Sequence, residues 1–355
     1  MMDEQQITEI LALSRAPSGD NCQPWKFVWD GERLNIYHDR VRAAHPLDPQ
    51  GIASQIALGC LIRAIEIASS HFNYGVTTSL GKIEIGTSEP WASLQFARAE
   101  VDQDKALVPF LVTRATDRRL YRKGALGTNL FAASRRFEAS CHGPKFYCLA
   151  TLPPELSQYI VKSEEIMGTH LKILPAVLEW LRYSVKEARE RGDGLSWRNL
   201  GVKFFELPIL PLVRRFPSVM KILKFTLPQQ QRVRATAQLN SAAGIVCVTL
   251  PRRKLNDLCQ VGRLMMEIWL ELTSHGYGVQ PLTLASMLIY ANEKQLLDAD
   301  FDRSIFERGF DVMRSGFSWP EDEVPVWMIR TGISEPLPAN AATFRLPVSL
   351  AARHV

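Results

Sequence analysis

Apolar residues near the start of the chain recur at helical spacing. Ile7, Ile10, Leu11 and Leu13 punctuate residues 4–14 and predict an amphipathic helix. The period stops in the stretch "LSRAPSGDNCQPWKFVWDG". After it, "KFVWDGERLNIYHD" alternates around Asp30-Gly31, the strongest short hairpin signal a sequence offers. "PQGIASQIALGCLIRAIEIASSHF" carries few charges over a long helical run and predicts a buried helix. "GVTTSL", "KIEIG" and "WASLQFARAEV" read as strands. A second unit starts near residue 106 with "ALVPFLVTRATDRRLYRKG". Its strands are expected at "KFYCLA", "AGIVCVTL" and "VPVWMIRTG". Its long buried helix lies in "VGRLMMEIWLELTSHGYG", which ends in glycines as helices often do.

These elements predict an α+β fold of two fused halves, residues 1–105 and 106–355, each with an antiparallel sheet. The weakly charged helices near 51–72 and 258–275 are expected to pack against each other at the centre. Both halves run strand, long apolar helix, strand, which is a weak internal duplication in pattern and not in residue identity. An insert at about 155–235, with Pro175, Pro208, Pro211, Pro217 and Pro228, interrupts the second half. The last segment, "SEPLPANAATFRLPVSLAARHV", reads as an irregular arm that crosses toward the first half.

Length and composition add bounds. A chain of 355 residues, 46% apolar and 22% charged, matches a soluble globular protein of about two domain-sized units. Without a run of eighteen apolar residues, no membrane-spanning helix is expected. The acidic, polar start differs from a secretory signal. Cys22, Cys60, Cys141, Cys148, Cys247 and Cys259 are scattered without metal-ligand spacing, so reduced thiols and a cytoplasmic location are expected. The net charge of +5 is uneven: residues 195–235 hold eight basic residues against Glu206 alone. Three readings of that insert stay open. It is a solvated basic face over a small satellite core, a lid that meets an anion or an acidic carrier partner, or a membrane-surface contact. The histidines show no ligand spacing, and no hydrolase, Walker or dinucleotide motif is present. The basic run lacks a nucleic-acid motif, so no nucleic-acid partner is expected.

The aperiodic loop has two readings from its residues. Pro17 and Pro24 restrict it, and Ser18 and Asn21 form local turns, so it either caps a helix-to-strand turn or presents polar groups to a flat ligand. Asn21 both donates and accepts, which suits a heterocycle edge.

"APSGDNCQPWKF" resembles the signature A-P-S-x-x-N-x-Q-P-W-x-F of the nitroreductase superfamily of FMN-dependent oxidoreductases. The resemblance implies that Pro17, Ser18, Gly19 and Asn21 lie against FMN held mainly by the other half. "TRATDRRLY" is similar to the family's R-[RS]-S-x-R phosphate stretch, which implicates Arg114, Thr116 and Arg118. "GYGVQPLTLA" is similar to the family's G-L-x-x-x-P-I-E-G, a strand start whose backbone amide faces flavin N5. Thr283 stands where many members carry Glu and Leu284 where they carry Gly. That change keeps a backbone N–H and bears on the usual nitro or quinone reduction. "FRLP" resembles the family's basic arm and adds Arg345, while the companion Lys falls on Thr343. The fused arrangement, the "L-G-C" at 58–60 and the central R-x-T-D-R most resemble the Acg-like branch.

The resemblance implies one composite FMN site in a pseudo-dimeric single chain, with the second pseudo-symmetric site empty. It implies an FMN-dependent oxidoreductase of a specialised small-molecule substrate, anionic or carrier-bound, with NAD(P)H as candidate electron donor. The alternative is a non-enzymatic FMN-storage protein closed by the insert. No catalytic side chain and no metal are assigned, no stable membrane insertion is expected, and further self-association stays open.

Overall fold

Two four-stranded antiparallel sheets organise the chain. A computed structural model describes residues 2–45, 48, 50–170, 172–200, 207–219, 222, 226–338 and 343–351. The first sheet contains β1 (Trp25–Trp29), β2 (Arg33–His38), β3 (Tyr74–Leu80) and β4 (Ala92–Arg98), in the order β1-β2-β4-β3. A short parallel pair, β6 (Leu181–Arg182) and β7 (Leu195–Ser196), lies in the insert. The second sheet contains β5 (Lys145–Leu149), β8 (Gly244–Pro251), β9 (Tyr277–Pro281) and β10 (Glu323–Ile333), in the order β5-β8-β10-β9. Counted along the chain, both sheets run first, second, fourth, third.

The helices are α1 (Glu4–Leu13), α2 (Arg40–Ala43), α3 (Ile52–His71), α4 (Asp102–Lys105), α5 (Val108–Thr113), α6 (Ala132–Ser140) and α7 (Pro154–Thr169). They continue with α8 (Ile173–Glu179), α9 (Val185–Arg191), α10 (Leu210–Arg215), α11 (Leu227–Asn240), α12 (Leu258–Ser274), α13 (Thr283–Glu293) and α14 (Arg303–Phe317). The long helices α3 and α12 occupy the same place in the two halves, between the second and third strands of each sheet.

Local chemistry explains most of these boundaries. Asp3 and Gln6 form a reciprocal capping box on α1, whose Ile7, Ile10 and Leu11 are buried. The Asp30 carboxylate accepts the Glu32 and Arg33 N–H groups at 2.9 and 2.8 Å, and Gly31 takes φ +99°, closing the β1–β2 hairpin as expected. Asp48 accepts the Ala53 N–H at 2.9 Å and the Ser54 N–H at 3.2 Å, satisfying the first turn of α3.

α3 and α12 pack together at the centre, as expected, and two glycines set their separation. A Cβ on Gly59 would lie 1.9 Å from the Cys259 carbonyl oxygen, and one on Gly262 would lie 1.9 Å from that of Ile56. Backbone therefore meets backbone at this crossing, and Cys60 Sγ donates to the Gly262 carbonyl at 3.1 Å. An ion network flanks the contact. Arg63 reaches Glu267 at 2.9 Å and Asp104 at 2.6 Å, and Arg263 reaches Glu66 at 2.7 Å. Burial works against the Arg63 charge, but Glu267 and Asp104 outweigh it and raise its pKa.

Some expectations need correction. The segment "KIEIG" is not a strand. β3 and β4 pair directly, Leu80 opposite Ala92, so residues 81–91 form their connection, with Gly86 at φ +87°. By length and composition α3 would pass for a membrane span, although no such helix was expected. Its most apolar stretch is 83% buried in the core, which accounts for that composition. The pattern reading also passed over α14, whose Phe306, Gly309, Met313 and Phe317 face inward behind an Asp302 cap.

The insert stands between the first and second strands of its sheet, where the first half has only the Asp30-Gly31 turn. It runs from α7 to α11 and closes a satellite core of Leu174, Leu178, Leu181 and Val213. Lys203, Glu206, Lys221 and Lys224 lie outside the described residues. The C-terminal arm does reach the first half: Leu350 bridges Phe27 in parallel, and Ala351 N–H donates to the Phe27 carbonyl at 2.8 Å.

Replacing Gly59 or Gly262 by Ala forces the two helices apart. Each change should lower unfolding free energy by about 1–3 kcal/mol. Gly127→Ala, whose Cβ meets nothing within 4 Å, is the control. Urea denaturation reads the difference, and unchanged midpoints in both central variants would contradict the backbone-contact account.

Candidate functional site

The aperiodic loop folds as a strained knot. Asp20, Asn21 and Gln23 take φ values of +46°, +59° and +51°, a left-handed region that costs non-glycine residues free energy. Ser18 Oγ accepts the Gln23 N–H at 2.9 Å, and Asn21 and Cys22 N–H groups bond back to Ser18 and Gly19. Contacts from outside hold the conformation. Asn21 Nδ2 donates to the Phe344 carbonyl at 2.8 Å and the Gly194 carbonyl at 3.2 Å. Gln23 Nε2 donates to the Gly192 carbonyl at 2.8 Å, and Gln23 Oε1 accepts the Leu346 N–H at 3.0 Å. The loop thus pins both the insert and the C-terminal arm.

A second latch involves Asp193, which lies in the insert. It receives Arg182 at 2.6 Å, Arg42 of the first half at 3.2 Å and Arg191 at 3.3 Å. Arg42 also donates to the Cys22 carbonyl at 2.7 Å. The insert is in this way tied to the first half by charge-assisted bonds on either side of the loop.

Beneath these latches lies a cavity of about 1440 Å³. Pro17, Ser18 and Gly19 line it from the first half. Thr116, Arg118, Thr283 and Leu284 line it from the second. Trp180 and Trp197 line it from the insert, and Cys60 and Trp269 from the central helices. Thr283 and Leu284 open α13, which no side chain caps, so their backbone N–H groups have no partner within the helix. They do not start a strand, as expected from sequence. β9 ends at Pro281, and the chain turns into a helix whose positive end meets the cavity.

Beside Trp269 sits a cluster of arginines. The Arg114 guanidinium stacks 4.6 Å from the Trp269 ring centroid and donates to the Arg15 carbonyl at 2.9 Å. Arg15 donates to the Thr343 carbonyl at 3.1 Å. Arg345 feels both cations, and burial together with Arg114 and Arg15 pushes its pKa well down. Burial also lowers Arg114, to about 10. Arg114 Nε and Arg345 Nε and Nη1 are shut off from solvent without a hydrogen-bond partner among the described residues. Buried donors of this kind carry a desolvation cost that an anion would remove.

The structure divides the expected phosphate stretch. Thr116 makes an isolated bridge to Val279 of β9, and the Asp117 N–H donates to the Val279 carbonyl at 2.8 Å, so the stretch is fastened to β9 between Arg114 and Arg118. Arg118 turns to the insert, where its Nη1 donates to Asn199 Oδ1 at 2.7 Å. Arg345 joins Arg114 instead. Asn21 spans the loop, insert and arm, with its Oδ1 buried and unpartnered among the described residues.

Residues that sequence reasoning missed complete the polar wall. Glu164 of α7 lies in the cavity near Arg118 and Arg234, and burial raises its pKa to about 7 against the pull of both cations. Arg234 donates to the Leu200 carbonyl. Asp20 meets His45 at 3.5 Å, and burial raises the Asp20 pKa. Cys22, pushed up to about 12 by burial and Asp20, is no thiolate at neutral pH. Nothing in the spacing of Glu164 or Arg234 singles them out, whereas the Asp193-Gly194 turn could have been read as the insert's docking point.

No family model matches the chain. An uncharacterized protein of Mycobacterium tuberculosis (strain CDC 1551 / Oshkosh) is 23% identical over 309 residues, 83% of this chain, and the match spans 41% of that protein's length. Among solved structures, the FMN-dependent nitroreductase NfnB from Mycobacterium smegmatis in complex with NADPH aligns with a TM-score of 0.37 at 13% identity, covering 71% of this chain and 96% of that one. A nitroreductase with bound FMN from Desulfitobacterium hafniense DCB-2 aligns with a TM-score of 0.33 at 11% identity, covering 66% and 94%. Overlaps of this quality leave the assignment to the residues themselves.

Two outcomes follow from the electrostatics. Inorganic phosphate should raise the melting temperature of the ligand-free protein, while Arg345→Met should match or exceed the parent without phosphate and lose most of that rise. Equal phosphate shifts in both proteins would remove the anion site. For Glu164, the folded-state pKa of about 7 exceeds the ordinary 4.5, so the folded chain holds an extra proton between these values. Stability therefore falls as pH rises through that window. Asp48, raised to about 6 by burial, adds a slope of the same sign. Glu164→Gln should make the slope shallower without abolishing it, and urea midpoints across that window test this.

Proposed function

We propose that this chain is an FMN-dependent oxidoreductase of the nitroreductase type, with one composite FMN site built from both halves. The observation that carries the reading is the pair Arg114 and Arg345, whose buried donor atoms lack partners among the described residues beside a cavity walled by Pro17–Gly19 and Thr283–Leu284. Those residues fit the cofactor's chemistry. Guanidinium groups suit a terminal phosphate, and the open amides of α13 suit acceptor atoms of a flavin ring. When bound, FMN supplies hydride and electron transfer through N5.

The protein's own part is to bind, orient and exclude water. Arg114 is held against Trp269, which keeps its guanidinium plane in place, and it would hold the terminal phosphate of bound FMN. The strained loop presents Pro17, Ser18 and Gly19 as a rigid flank. The latches at Asn21, Gln23 and Asp193 keep the insert over the cavity, so solvent is excluded from the reacting end.

Volume favours an enzyme over storage. Ligand sites commonly occupy about 300–1,000 Å³, and the cavity here is about 1440 Å³. Room remains for a second molecule, a specialised substrate or an NAD(P)H donor. The repeated strand order in the two sheets supports reading the chain as two fused halves of a dimer-like unit. Among the described residues one arginine cluster, Arg15, Arg114 and Arg345, gathers in this way, which supports a single site. A cytoplasmic location belongs to the same proposal.

Anaerobic titration with NADH and NADPH tests it. The bound flavin should bleach with one of them, and an electron acceptor should restore the colour through repeated cycles. Bound flavin that neither donor bleaches would favour storage. Arg114→Ala should weaken FMN binding about tenfold or more, the usual loss for a charge-assisted hydrogen bond.

A further inference from the structure

Three charged side chains in the chamber wall lie outside the arginine cluster around Arg345. Arg118 follows α5, Glu164 lies on α7 and Arg234 on α11, and each is half-buried and lines the chamber. Gln238 of α11 holds the Arg118 backbone by donating to its carbonyl at 2.7 Å. Asn199 takes up Arg118 Nη1, through Oδ1 at 2.7 Å and its carbonyl at 3.3 Å. Arg118 Nε and Nη2 make no hydrogen bond among the described residues, so a guanidinium held in place keeps two nitrogen donors open. Arg234, which donates to the Leu200 carbonyl, adds a second positive charge.

The Glu164 carboxyl does not close this site. It makes no hydrogen bond among the described residues, and burial outweighs the pull of Arg234 and Arg118 and raises its pKa to about 7. A protonated Glu164 leaves the two guanidinium groups without a carboxylate from α7. Burial, and next the charge of Arg234, lower Arg118 to about 10. An oxyanion relieves both effects: its oxygens accept from the open Arg118 donors and from the Glu164 O–H.

The other charges nearby are engaged elsewhere. Asp20 acts on Arg118 from the first half and is itself met by His45 at 3.5 Å. Asp117 pairs with Arg119 at 2.8 Å, and Arg198 lies 4.8 Å from the Trp197 ring centroid. Glu165 pairs with Lys162 and Arg232 in a separate groove on α7 and α11, which Arg308 of α14 also lines. Lys172, just before α8, pairs with Asp298 and Asp300. α13 brings Thr283, Leu284, Met287 and Leu288 to the chamber and no charge. Leu174, Leu178, Trp180, Trp197 and Leu210 give the insert's share of the wall an apolar surface. A molecule that fits this end of the chamber carries an acid head on an apolar body.

We propose that Arg118, Glu164 and Arg234 form an oxyanion subsite that seats the acid head of a small apolar substrate, and that the head binds together with one proton held by Glu164. The subsite stands on these residues alone. Its assignment to the substrate rests on the flavin reading.

Calorimetric titration of the FMN-saturated chain with benzoate tests it, in two buffers of different ionisation enthalpy. Benzoate binding should take up a proton, and its affinity should fall as pH rises through about 7, by up to about tenfold per unit. Uncharged benzamide should bind about tenfold more weakly or worse. Glu164→Gln copies the protonated form, so it should bind benzoate about tenfold more tightly than the parent at high pH and lose the pH dependence. Arg234→Gln should weaken benzoate about tenfold or more. Because that change also frees the Leu200 carbonyl, the isosteric Glu164→Gln carries the test if Arg234→Gln lowers the melting temperature. No saturable benzoate binding would overturn the proposal, as would binding without proton uptake or an equal pH slope in Glu164→Gln. Proton-linked binding of NADP⁺ but not NAD⁺, in competition with benzoate, would move the subsite to the donor's phosphate and overturn the substrate assignment. FMN content is read on the same samples. Benzoate bound by a chain that holds no FMN would leave the subsite and remove the flavin reading, and FMN bound without benzoate would do the reverse.

Discussion

The close crossing of α3 and α12 is the constraint on which the rest of the structure depends. Gly59 and Gly262 let two backbones touch where any side chain would collide with a carbonyl oxygen. That contact sets the distance between the halves, and the Arg63 and Arg263 ion pairs fix the orientation around it. Burying this network is costly unless each charge keeps its partners, so it selects one geometry of the interface more than it adds stability. The cavity lies along these helices, with Cys60 and Trp269 in its wall. A shift of one helix would change the span between the loop at 17–19 and the start of α13.

From that interface the site follows as a division of labour. The second half supplies Arg114, Arg345 and open amides, and the first half supplies Arg15 and a rigid polar flank. Neither half can close the chamber, so the insert does, tied down by Asn21, Gln23 and Arg42. The strain in three left-handed residues of the loop is offset by those bonds. The loop that lines the chamber with Pro17, Ser18 and Gly19 therefore also ties down the insert through Asn21 and Gln23. Arg118 shows the arrangement from the other side: it leaves the arginine cluster and holds Asn199 of the insert.

Much of the fold was legible because its signals are local. Asp30-Gly31 announces a hairpin, and the scarcity of charge in residues 52–71 and 258–274 announces buried helices. "KIEIG" misled because alternation also occurs in a connection that packs Ile83 against the core and leaves Ile85 exposed. Of the residues singled out in the sequence, Pro17 and Ser18 come to the cavity wall and Arg114 to the face of Trp269, because a proline-restricted loop and a buried guanidinium leave local signals. The site was not legible where tertiary contacts decide. The turn of Arg118 to Asn199 of the insert goes with the anchoring of Thr116 and Asp117 on β9, which spacing alone does not reveal. Glu164 and Arg234 come together only because α7 and α11 pack side by side across the insert.

The most direct test of this account is the number of FMN molecules bound per chain, measured by visible absorption after saturation, desalting and release by denaturation. One arginine cluster and one strained loop predict one FMN per chain. Two would show that the halves are functionally equivalent, and none would remove the cofactor site altogether.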